Sequence, residues 1–222
     1  MLEGIKEIFM KSHDLYDRAL RDHDLRPVIA YGCAGTGKTY GAVKAAVEWL
    51  DNSRKSKLIV TRPNVSFAEK NGFLPGTERE KMEPWVRPVR HLLAELGCGY
   101  AHQENLEKNG RIQYYPLEYI QGLTFDNSFI IVDEVQNMSF DQLKVFLTRT
   151  GKYSKVVLCG DIAQISPKFH QSGLAQLLQM IEHFDMNVHT LEFDRDDILR
   201  SELCKEFIIA FEDWEKFNGI RK

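Results

Sequence analysis

Apolar positions along the chain fall into two alternating rhythms. Leu2, Ile5, Ile8, Phe9, Leu15, Tyr16 and Leu20 recur at helical intervals and predict an amphipathic helix over about residues 2–22. Val28-Ile29-Ala30-Tyr31 is a short apolar run, the signature of a strand covered on both faces, and it leads straight into glycines. Ala42, Ala45, Ala46 and Trp49 then restore helical spacing between Lys38 and Leu50, and Leu58-Ile59-Val60 predicts the next strand. The pattern loosens from about residue 64 to 121. There Asn71-Gly72-Phe73-Leu74-Pro75-Gly76 marks a loop, a helix is expected from about Glu83 to Leu96, and Arg111 to Tyr115 suits a strand. Beyond it the alternation resumes: strand at Phe129–Val132, helix at Phe140–Leu147, strand at Val156–Cys159, helix at Gly173–His183, strand near Val188–Phe193, and a last helix to about Phe217. Strands alternating with helices predict an α/β fold with a mostly parallel sheet flanked by helices. The expected organisation is one domain over residues 1–222, with the loose stretch of about 64–121 inserted into it.

Composition narrows this picture without changing it. The 222 residues are 43% hydrophobic and 27% charged, with a net charge of −3, ordinary for a soluble globular chain and unlike a uniformly basic polynucleotide binder. Cys33, Cys98, Cys159 and Cys204 lie far apart, which excludes close-spaced zinc and redox motifs and predicts reduced thiols in a cytoplasmic protein. No apolar run approaches the ~18 residues of a membrane span, and the first residues are charged, unlike a secretory leader.

Three strand ends carry candidate chemistry. Gly32-Cys33-Ala34-Gly35-Thr36-Gly37-Lys38-Thr39 fills GxxxxGK(S/T) between an apolar strand and a helix. Glycines let successive N–H groups turn toward phosphate oxygens at a helix N-terminus; Lys38 reaches the β- and γ-phosphates, and the Thr39 hydroxyl suits Mg²⁺. Phe129-Ile130-Ile131-Val132 delivers Asp133 and Glu134 to the C-terminal edge of the sheet, where open α/β sheets bind ligands. Asp133 suits the metal; Glu134 suits polarisation of an attacking water. Val157-Leu158-Cys159-Gly160-Asp161-Ile162-Ala163-Gln164 ends a third strand, and the neutral amide of Gln164 can bridge the γ-phosphate and that water without adding negative charge.

Taken together, GCAGTGKT, Thr61-Arg62-Pro63, GFLPG at 72–76, IIVDEVQN and GDIAQI resemble the PhoH family in order and spacing, from about Pro27 to Glu212. Pro116 to Gly122 is similar to the family's segment before the acidic strand, and Asp197-Ile198-Leu199-Arg200 to its C-terminal arginine motif. The chain departs from the family at Gln121-Gly122-Leu123-Thr124, where Arg-Gly-Arg-Thr is common, and at His13, which stands where the family has a glutamine. The resemblance implies a RecA-like core related to superfamily 1 helicases, ATP and Mg²⁺ as ligands, hydrolase activity and a connection to RNA. The compact length resembles a phage-encoded member, which would act in the host cytoplasm.

Phosphoryl transfer often uses an arginine against developing charge. The candidates are Arg149, Arg195 and Arg200, and the resemblance favours Arg200. Superfamily 1 helicases place ATP between two RecA-like domains, and this chain has room for one, so a homo-oligomer is expected, with a ring hexamer suggested by the resemblance. Arg62, Lys70, Arg79, Lys81, Arg87 and Arg90, interleaved with Phe67, Phe73 and Trp85, form the most basic neighbourhood; Arg62 is the candidate contact to RNA or single-stranded nucleic acid. Two other readings remain open: a small-molecule kinase, which needs an acceptor site, and a nucleotide-dependent switch without motor activity.

Overall fold

The computed structural model describes residues 11–63, 78–120, 122–161 and 172–218. In chain order the elements are α1 (Ser12–Arg21), β1 (Val28–Gly32), α2 (Lys38–Asn52), β2 (Lys57–Arg62), α3 (Glu78–Glu95), α4 (Tyr100–Lys108), β3 (Ile112–Pro116), β4 (Ser128–Val132), α5 (Phe140–Leu147), β5 (Lys155–Gly160), α6 (Gly173–His183), β6 (His189–Phe193) and α7 (Glu202–Phe217). Short 3₁₀ turns occupy Leu117–Ile120 and Val135–Asn137.

All six strands are parallel, in the order β3-β2-β4-β5-β1-β6. Parallel pairing requires a crossover between consecutive strands, and the helices supply it on both faces. The side-chain period of two divides the strand residues between two cores. Val28, Ala30, Leu58, Val60, Phe129, Ile131 and Val157 face one way, against Tyr16 and Leu20 of α1, Ala42, Val43 and Ala46 of α2, Leu93 of α3 and Leu106 of α4. Ile29, Ile59, Ile130, Val132, Val156 and Leu158 face the other way, against Leu143 and Phe146 of α5 and Leu174, Leu177 and Ile181 of α6. The middles of the central strands are therefore apolar on both faces, which is why they read as unbroken runs in the sequence.

The expected stretch of about 64–121 contributes α3, α4 and the edge strand β3, which pairs with β2 from Leu58↔Ile112 to Arg62↔Pro116. Helix α3 starts earlier than expected and carries Pro84 and Pro88 in its interior. Helix α4 has no counterpart among the expected elements, because only Gln103 and Leu106 of its nine residues are buried and an apolar stripe is lacking. Residues 2–10 of the expected first helix and the loop 71–76 lie outside the described residues.

At the other end, α7 crosses the loop after β1. Ile208 lies 3.5 Å from where a Cβ on Gly35 would stand. Its opposite side leaves Leu203, Phe207, Phe211, Trp214 and Phe217 exposed, with ring pairs Phe207–Phe211 and Trp214–Phe217 stacked along the helix. Among the described residues no helix is long and apolar enough to cross a membrane.

Candidate nucleotide-binding site

The loop between β1 and α2 needs its glycines. Gly32 has φ 112°, and a Cβ there would stand 2.1 Å from the Phe193 carbonyl oxygen of β6, so a side chain cannot fit. Gly35 and Gly37 also hold positive φ, and a Cβ on Gly35 would meet the Arg200 side chain at 2.9 Å. Thr36 is fully buried and its hydroxyl donates to the Cys33 carbonyl at 3.0 Å, closing the turn. Lys38 sits inside the loop it follows. Its Nζ donates to the carbonyls of Gly32 at 2.9 Å and Cys33 at 2.6 Å and to Thr36 Oγ1 at 3.1 Å. Burial lowers the Lys38 pKa, while the carboxylate of Asp161 opposes that shift.

The acidic pair arrives on β4. Asp133 Oδ1 accepts from Thr39 Oγ1 at 2.9 Å, which joins the end of β4 and the start of α2. Burial raises the Asp133 pKa, and the neighbouring charge of Glu134 adds to the rise. A buried carboxylate beside a hydroxyl, short of compensating charge, is a donor set that fits a hard divalent cation such as Mg²⁺. Glu134 takes a left-handed conformation, φ 55° and ψ 38°, uncommon for a residue with a side chain. That turn directs its carboxylate to two neighbours: Gln136 Nε2 donates to Oε2 at 2.6 Å, and Arg62 Nη2 lies 3.6 Å from Oε1.

The loop from Ala34 to Thr39, the acidic pair and Gln136 line one cavity of about 570 Å³, together with Leu199, Arg200, Gly160 and Asp161; Gly32, Cys33 and Arg62 lie outside its lining. The size is that of a small-molecule site. The structure thus brings together Gly35, Thr36, Gly37, Lys38, Thr39, Asp133, Glu134 and Arg200, all named by the sequence. Arg200 belongs to the same chain as the loop it covers, and the Leu199 N–H donates to the Gly35 carbonyl at 3.0 Å, pinning that approach. Gln164 lies outside the described residues. Arg195 is engaged elsewhere, donating to Glu212 at 3.0 Å and Asp213 at 2.5 Å on α7. Arg149 is not among the cavity residues.

In the basic neighbourhood, Arg90 is bidentate to Glu107 and Trp85 packs edge-on against Tyr114, so both serve packing between α3, α4 and β3. Lys70, Phe67 and Phe73 lie outside the described residues, as do the side chains of Arg79 and Lys81.

Sequence reasoning missed the support under the loop. Tyr16 of α1 donates its hydroxyl to the Lys38 carbonyl at 2.8 Å, and His13 Nε2 donates to the Thr36 carbonyl at 3.0 Å, which requires the proton on that nitrogen. Both rings meet Phe193 edge-on. The helical spacing of Tyr16 is visible in the sequence; nothing in it signals polar contacts to a loop more than twenty residues away. Gln136 was also missed, although it lies inside the acidic motif.

A parallel sheet whose strand ends gather a glycine loop, its lysine and an acidic pair defines the RecA-like P-loop ATPase fold. The model of the family described as PhoH-like protein matches residues 9–212, and this chain belongs to that family. A PhoH-like protein of Bacillus subtilis is 41% identical over 198 residues, covering 89% of this chain and 61% of the relative. Protein PhoH of Escherichia coli K12 is 36% identical over 198 residues, covering 88% and 55%. The chain therefore spans little more than half the length of these relatives. Among solved structures, the large terminase of a thermophilic bacteriophage in complex with ADP shares the fold, with a TM-score of 0.55 at 18% identity over 90% of this chain and 49% of that one.

Proposed function

We propose that this protein binds and hydrolyses ATP with Mg²⁺ and acts on RNA or other single-stranded nucleic acid as a helicase-like motor. The observation that carries hydrolysis is the meeting of Lys38, Thr39, Asp133 and Glu134 in one cavity under Arg200. Lys38 is held by carbonyl oxygens of its own loop, a place that phosphate oxygens can take over, and the loop N–H groups then cradle the phosphates. Thr39 and Asp133 would hold Mg²⁺, which when bound neutralises charge on the β- and γ-phosphates. Glu134 polarises the water that attacks the γ-phosphorus, Gln164 orients it, and Arg200 offsets the charge that develops on the transferred group.

The nucleic-acid part rests on Arg62. It ends the core strand β2, half-exposed at the sheet edge, and its guanidinium reaches Glu134. A phosphate chain that engages Arg62 therefore touches the partner of the water-activating carboxylate. Self-association is part of the same reading. The exposed apolar face of α7, on the order of 700 Å² if its five large side chains are counted, matches one partner's share of an ordinary interface.

The test is ATP turnover with Mg²⁺, alone and with single-stranded RNA or DNA, for the parent and for Arg62→Ala. Turnover that rises with polynucleotide in the parent and not in the variant is expected. Turnover indifferent to both polymers would leave an ATPase without this partner, and absence of turnover would remove the hydrolase.

A further inference from the structure

Gln136 is almost wholly buried, with 2% of its surface exposed, two residues beyond Glu134. Its amide joins two strand ends. The side-chain oxygen accepts from the Asp161 backbone N–H at 3.1 Å, where β5 ends, and the side-chain nitrogen donates to Glu134 Oε2 at 2.6 Å, where β4 ends. Its main-chain carbonyl accepts from Ser172 Oγ at 3.2 Å, at the entry to α6. The amide cannot be turned over. A backbone N–H can meet only the oxygen end, so the NH₂ end must face Glu134, and that end can only donate. The site on Glu134 is therefore one a carboxylate oxygen fills.

Space is as constrained as polarity. A Cβ on Gly160 would stand 3.0 Å from Gln136 Oε1 and 2.6 Å from Val135, so the amide occupies room left by the glycine at the end of β5. The left-handed backbone of Glu134 is off the preferred path for such a residue, and an unsupported side chain there would sample other rotamers. A carboxylate that must present a lone pair to one water molecule loses rate when it drifts by as little as about an ångström.

We infer that Gln136 is a positioning residue for Glu134, fixing the carboxylate to the end of β5 so that the water and phosphate sides of the cavity keep one geometry. The inference rests on the proposed role of Glu134 in activating water. Gln136 acts through that carboxylate and leaves the phosphate loop alone.

The experiment is steady-state ATP turnover and equilibrium nucleotide binding for four variants: Gln136→Met, Gln136→Glu, Glu134→Gln, and the double variant Glu134→Gln with Gln136→Met. Gln136→Met keeps the volume and removes both hydrogen bonds; Gln136→Glu keeps the acceptor for Asp161 and replaces the donor with an oxygen. Gln136→Met is expected to lower kcat by about 10- to 100-fold while KM and nucleotide affinity stay within about twofold. Gln136→Glu is expected to lower kcat as far, with weaker nucleotide affinity as well, because it adds a negative charge to the same cavity. Glu134→Gln is expected to slow hydrolysis by about 10²–10⁴-fold with nucleotide still bound. The double variant should be no slower than Glu134→Gln alone, because the two residues act as one unit. Losses that multiply in the double variant would mean that Gln136 acts independently and overturn the inference. So would a Gln136 variant with parental kcat beside a slow Glu134→Gln. Parental turnover in Glu134→Gln would instead remove the role of Glu134, and this inference with it. If Gln136→Met fails to fold, Gln136→Glu carries the same comparison, since its acceptor still closes the Asp161 contact.

Discussion

Lys38 donates to three oxygens of its own loop, and none of them is a charged partner. Its removal leaves only neutral groups that water can reach through the cavity, so the fold tolerates the change while the ligand does not. Lys38→Ala is expected to keep the parental melting temperature within a few degrees and to weaken ATP binding by about 10- to 100-fold, the worth of one charge-assisted contact. Calorimetric titration of the variant measures it, and parental affinity would refute the assignment. Cys33, in the same loop, gives a pH prediction. Burial, with help from the Glu212 carboxylate, pushes its thiol up to about 11. The thiolate is the nucleophile, so Cys33 should resist alkylation at neutral pH and gain reactivity only as pH approaches that value. Peptide mapping after brief iodoacetamide treatment should find Cys204, which is exposed, labelled well before Cys33. The identities of these loop residues were legible because the spacing of GxxxxGK(S/T) is itself the geometry. Glu134 was legible as an acid, but its ties to Arg62 and Gln136 were not, since they depend on a left-handed turn and a strand pairing that no local pattern announces.

At the scale of single elements, α5 shows how a boundary is fixed. Ser139 Oγ accepts from the Gln142 N–H at 3.2 Å, while Gln142 Oε1 accepts from the Ser139 N–H at 2.8 Å, a reciprocal cap. Leu143 and Phe146 then fall on the buried side. Ser139→Ala should cost about 1 kcal/mol. In a chain of this length that lowers the melting temperature by about 2–4 °C, read by circular dichroism, with ATP affinity unchanged. The same local signals made the bounds of α5 and α6 readable from sequence. They failed at α3, where Pro84 would ordinarily mark a first turn but lies inside the helix, and at α4, whose sparse apolar residues carry little periodicity. Helix ends written in capping chemistry are recoverable; those imposed by packing against β3 are not.

Across the whole molecule, the order of strands decides what can meet. β5 lies between β1 and β4, so the phosphate loop and the acidic pair are separated by one strand, and Asp161 at its end lines the cavity between them. The sequence predicted parallel strands but could not order them, because every central strand is apolar on both faces. It also left open which subunit's Arg200 serves a given site. In the fold Arg200 lies over the loop of its own chain, against Gly35. A mixture of Arg200→Ala and Lys38→Ala proteins, shown by tag capture to co-assemble, is therefore expected to stay inactive, since neither chain holds a complete cavity. Recovery of turnover would require an arginine supplied across a subunit boundary.

The way α7 begins over the phosphate loop has a practical consequence. Cys98 and Cys159 are buried, Cys33 is guarded by its raised pKa, and Cys204 stands exposed in the first turn of α7, four residues along the chain from Arg200. A single maleimide dye can thus be placed on the unaltered chain close in sequence to the arginine that lies against the Gly35 loop. Its emission would follow each arrival and departure of ligand in real time, giving occupancy without radioactivity, engineered cysteines or a coupled enzyme.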